Sequence, residues 1–227
     1  MSRPRHVLRL AALVLALAGP AAAQVTDCAE GQVAIGGAPP ALAEDLCRIS
    51  HEAITTMTAC SLGQTRPIRV DVVDEVPHPF ATCLAAFDCD YDRVRIVIRD
   101  DYAGLVEAAD PYAQLPPEVL VRTLLTHELA HALVFQTAAG REIALTDHEY
   151  IAAAMELEQM HPEWRALVLD AAGFTAPAEG RINIWIYRMS PRRFSANAWL
   201  HFKAPGNGCA LVGDIIAGRR SFETDPR

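Results

Sequence analysis

Past its first two dozen residues the chain has no apolar run long enough to cross a bilayer, so no stable membrane insertion is expected of that part. It has no pair of cysteines in C-x-x-C spacing, which argues against a zinc site built from thiolates. It shows no internal repeat and no low-complexity linker, so nothing divides residues 24–227, a length suited to one domain with a real core. It is also short of positive charge. Lys and Arg number 20 against 28 Asp and Glu, a formal net charge of −8. That balance disfavours nucleic acid and anionic membrane surfaces as partners.

What is present begins with a leader. Arg3, Arg5 and Arg9 make a basic start, residues 10–18 are apolar, and Gly19-Pro20 breaks the run. Ala21-Ala22-Ala23 before Gln24 fits an A-x-A cleavage site. Residues 1–23 are therefore expected to be a signal peptide and residues 24–227 an exported chain, periplasmic or secreted. Losing three arginines and no acid takes the formal charge from −8 to −11. No cysteine follows the cut directly, so a lipid anchor is not expected.

All six cysteines lie after the leader, at Cys28, Cys47, Cys60, Cys83, Cys89 and Cys209. An even count in an exported chain predicts three disulfides. Cys83 and Cys89, separated by a five-residue loop between strands, are the local pair expected. Cys209 is expected to tie the C-terminal segment back to the body.

The hydropathy pattern places the main elements. Residues 38–59 open on Pro39-Pro40 and repeat apolar residues at helical spacing. Residues 67–76 alternate as a strand, and 80–87 follow as a second one after a turn at 77–79. Residues 93–99 are the clearest strand, with Val94, Ile96 and Ile98 on one face and arginines on the other. A helix is expected from Glu163 to Ala172, ended by Gly173.

The stretch that carries chemistry is Thr126-His127-Glu128-Leu129-Ala130-His131, which reads H-E-x-x-H. It lies in a helix opened by Pro116-Pro117-Glu118 and stopped near Gly140, with Val121, Leu125, Leu129 and Ala132 as its apolar stripe. Positions i and i+4 share a helix face, so His127 and His131 can direct two imidazoles at one metal ion. Glu128 projects about 100° round from His127, which suits a base that reaches a metal-bound water without ligating the metal. Zinc lowers the pKa of such a water to about 7, and a carboxylate beside it can take the proton.

This motif and the segment after it, about a quarter of the chain, resemble the zincin metallopeptidases, and the chain as a whole looks similar to an uncharacterised family of exported zincin-like proteins. The resemblance implies Zn2+ held by His127 and His131, Glu128 as general base, and a peptide or protein substrate. The metzincin continuation is missing, since Ala132-Leu133-Val134-Phe135-Gln136-Thr137 lacks its Gly and His. A gluzincin takes a Glu from a second helix, and Glu149-Tyr150-Ile151-Ala152 resembles its E-x-x-A pattern. Glu149 is the expected third ligand, with His148 as the rival and Asp147 as a third choice. Thr146 or Asp147 is expected to cap that helix. In gluzincin-like enzymes a donor from the C-terminal part stabilises the oxyanion, and Tyr187, Arg192 and His201 are on offer. The substrate main chain is expected along an edge strand, either residues 93–99 or 80–87.

The expected fold is α+β and zincin-like: a small twisted sheet packed on the 38–59 helix and the metal helix, then a helical C-terminal half. Two alternatives stand beside a zinc peptidase. One is a non-catalytic zinc-binding module that keeps the helix pair. The other is a disulfide-rich structural protein without metal, which leaves the two histidines unexplained.

Overall fold

The computed structural model describes residues 25–77 and 83–223. The leader, the 77–79 turn beyond Pro77 and the start of the 80–87 segment lie outside them. The described residues form an α+β arrangement. Five short strands build one mixed sheet in the order β1-β2-β3-β5-β4, with β1 Val25–Asp27, β2 Val33–Gly36, β3 Ile68–Val73, β4 Ala85–Asp88 and β5 Arg93–Val97. β2, β3 and β5 run parallel, and β1 and β4 pair antiparallel at the two edges.

α1 (Pro40–Thr58) is the crossover between parallel β2 and β3. The chain turns into it at Gly37, whose φ of 75° suits only glycine and whose Cα faces the Val72 carbonyl too closely for a side chain. Alternation fixes the buried face of the sheet. Val33 and Ile35, Ile68 and Val70, Val94 and Ile96 are all buried, while Arg69, Arg93 and Arg95 turn the other way. α1 and α2 (Pro117–Ala138) pack on the sheet and on each other. Leu125, Leu129 and Ala132 of the expected stripe are fully buried there.

α2 ends where Ala139 and Gly140 both take left-handed conformations. The chain then reverses into α3 (Leu145–Gln159), which packs back along α2. The small buried residues Ala130, Ala152, Ala153 and Ala154 let helix backbones approach closely. α4 (Pro162–Ala172), α5 (Ile184–Met189), α6 (Pro191–Lys203) and α7 (Cys209–Ile216) complete the C-terminal half.

Several expectations need correction. α3 starts at Ala144 with no side-chain cap. Asp147 instead accepts the Phe222 amide at 2.8 Å, tying down the C-terminal segment. β5 is paired on both sides and has no free edge to offer a substrate; among the described residues β4 has one. The disulfides are two, Cys28–Cys47 and Cys60–Cys209, and the second joins the end of α1 to the start of α7. Cys83 and Cys89 are free thiols. They stand before and after the extended strand β4. An extended chain advances about 3.3 Å per residue, so a span of six is far beyond the Cα separation a disulfide tolerates.

Candidate metal centre

α2 and α3 together build a compact donor cluster. His127 and His131 lie one turn apart on α2, their Nε2 atoms 3.1 Å from each other. From α3, Glu149 places Oε2 3.5 Å from His127 Nε2 and Oε1 3.7 Å from His131 Nε2. One donor atom from each of the three lies within 4.8 Å of the others. Bonds of about 2.0–2.1 Å to a tetrahedral zinc set ligand atoms about 3.3 Å apart, close to these separations. Glu149 is buried, and its Oε2 has no hydrogen-bond partner. A buried carboxylate oxygen without a donor is costly unless a cation faces it. The residues therefore fit a metal ion.

The electrostatics agree with an acceptor-rich pocket. Burial pushes His131 down to about 3, which favours the neutral imidazole at pH 7. For Glu149 burial acts upward, but His131 and His127 outweigh it and the carboxyl sits below its ordinary value. Glu128, one residue from His127, is buried but outside the donor cluster. Burial raises it to about 7, with His127 and the Phe87 amide of β4 pulling the other way.

Behind the cluster lies an arrangement the sequence did not announce. Glu156 of α3 is buried, with Oε2 2.6 Å from His127 Nδ1. The hydroxyl of buried Tyr112 donates to the other oxygen of Glu156. Burial lifts the Glu156 carboxyl to about 8, Arg192 opposing. A hydrogen bond joins Glu156 Oε2 to His127 Nδ1, and in the tautomer with the proton on Nδ1 the Nε2 lone pair is turned to the cluster. A signal did exist: Glu156 follows Glu149 by seven residues, two helical turns along the same face.

The other expected residues separate clearly. His148 lines the cleft, its ring 5.7 Å from that of His131, but is not in the donor cluster. Tyr187 of α5 faces the cleft within reach of Glu149, and its hydroxyl is pushed up by burial and then by that carboxylate. Arg192 lies behind, its Nε 3.1 Å from both oxygens of Asp110 and its guanidinium 3.5 Å over the Tyr112 ring. His201 sits by Tyr150 and Phe222, with Nδ1 3.1 Å from the Tyr150 hydroxyl. Of the three oxyanion candidates only Tyr187 reaches the cleft. The cleft itself holds about 400 Å³, with β4 on one side and α2 beneath.

The segment carrying all of this, from β2 through α7, falls within one family model, which matches residues 33–225. The chain belongs to DUF6639, a family of unknown function. No curated protein and no solved structure matches it. The DUF6639 segment contains both helices of the cluster and the edge strand beside them.

Proposed function

We propose that this chain is an exported zinc-dependent peptidase of the zincin type. The observation that carries the reading is the convergence of His127, His131 and Glu149 on one point, with Glu149 Oε2 left unpartnered and Glu128 beside it. Zinc, when bound, polarises a carbonyl and makes water acidic enough to lose a proton near neutral pH. Everything else comes from the chain. Glu128, with a carboxyl titrating near 7, is matched to accept that proton and pass it to the departing amine. Tyr187 brings a hydroxyl donor to the same cleft, on the side of Glu149, where negative charge develops on the carbonyl oxygen.

β4 supplies the track. Leu84 O accepts from Val97 N, so Ala86 and Asp88 also face β5, while Ala85 and Phe87 turn their main-chain groups outward. A peptide can add to that free edge as a further strand. Phe87 and Glu128 line the same cleft, so a strand added to this edge runs beside the base. Export is supported by the leader pattern and by two disulfides.

Elemental analysis of metal-reconstituted protein tests the reading, with peptide hydrolysis measured before and after chelation. One zinc per chain is expected, with hydrolysis lost to the chelator and restored by zinc. A His127→Ala/His131→Ala double variant holding as much zinc as wild type would refute the site.

A further inference from the structure

A second cavity, of about 730 Å³, opens at the Cys83 end of β4 and shares Cys83 and Ala85 with the metal cleft. Leu124, partly exposed and one helical turn before His127 on α2, forms part of its wall. α5 borders both spaces: Tyr187 lines the metal cleft, and Met189, two residues on, lines the cavity.

Three of the six exposed large apolar side chains among the described residues lie at these two openings. Leu105 is 38% exposed and Met189 73% exposed, and both line the cavity; Leu145, 49% exposed, lines the metal cleft. Exposed apolar side chains grouped around one opening mark a surface that a ligand covers. The wall carries two acids, Glu107 and Asp110, and two arginines, Arg192 and Arg193, so it has no net charge, and Asp110 holds Arg192. Charged side chains therefore gain little there. The groove of about 490 Å³ between α1, α2 and α4 shares no lining residue with the metal cleft and does not compete for this role.

We infer that this cavity selects a bulky apolar side chain of the substrate close to the bond being cut. The inference rests on the peptidase reading above. A chain added to β4 with its reacting bond at Glu128 passes Ala85 two residues from Phe87, about 7 Å along the strand. The side chain at that point stands over the cavity mouth, against Met189, Leu105 and Leu124.

Two measurements on the exported chain test it. The zinc-loaded protein is given a random peptide library, and the cut sites are sequenced. In parallel, short labelled peptides that differ only by Leu, Phe, Ala or Asp at one position are titrated against the Glu128→Gln variant, which needs no turnover. Leu and Phe are expected to be favoured over Ala by about tenfold in both. Leu105→Asp and Met189→Asp, at exposed positions the fold does not depend on, are each expected to cut that ratio several-fold. Cleavage with no side-chain preference, or with one that neither variant shifts, overturns the inference and leaves the peptidase intact. Selective binding without cleavage upholds the pocket and removes the peptidase. No peptide binding at all overturns both.

Discussion

Glu149 is the residue on which the cluster turns. Its carboxylate faces two imidazoles, the partnerless Oε2 toward His127 and Oε1 toward His131, and burial favours the neutral form of the second. Glu149→Gln is expected to lower zinc content sharply, and His148→Ala to leave it near one per chain. The reverse pattern would make His148 the ligand. Glu156 acts from behind, through His127. Removing such a partner typically costs about 10–100-fold in metal affinity. Glu156→Gln is therefore expected to weaken zinc binding by that order in a chelator competition, with an unchanged circular dichroism spectrum. Undiminished affinity would reduce the 2.6 Å contact to packing. The i, i+4 histidines were legible in the sequence because a helix makes their spacing a geometry. Tyr112 was not, because its contact with Glu156 crosses 44 residues of chain and no local pattern encodes it.

At the scale of elements, the C-terminal part of α2 is fastened by Gln136. Its Oε1 accepts the Thr65 and Arg66 amides at 2.8 and 3.1 Å, and its Nε2 donates to Asp92 at 3.0 Å. Gln136→Ala strands these partners in a half-buried place and is expected to cost about 1–3 kcal/mol in denaturant unfolding. Asp92 also takes a two-pronged pair from Arg66, which is the main cause of its lowered pKa, burial opposing. A folded pKa below the unfolded one gives stability that is present above about pH 3.9 and is lost as acid titrates the folded form. The stability advantage of wild type over Asp92→Asn is thus expected at pH 7 and should fade below about pH 3.9; an advantage that persists in strong acid would deny the pair its role. The cysteines show where local reading fails. Loop length favoured Cys83–Cys89, but β4 stretches the chain between them, and Cys60 finds Cys209 from 149 residues away. Alkylation without reduction is expected to label two cysteines, Cys83 and Cys89. No label at all would restore the third disulfide.

At the scale of the whole molecule, the α+β order and the α2–α3 pair were readable, since strand alternation, the prolines that open α2 and the glycine that stops it mark the elements. β1 and β2 went unannounced because a strand of three or four residues leaves almost no periodic signal. The two strand candidates for substrate were told apart by topology alone: β5 became interior only when β4 paired outside it. That same topology brings the free edge, the donor cluster and Glu128 to one cleft, and on that cleft the account depends. The direct test is peptide hydrolysis by wild type and by Glu128→Gln, with zinc measured in the same samples. Gln nearly matches Glu in shape but cannot accept a proton at neutral pH. Peptide cleavage at this centre requires equal zinc in the two and a loss of rate of about 10²–10⁴-fold in the variant. Equal rates at full zinc occupancy, or no cleavage by either protein, would contradict it.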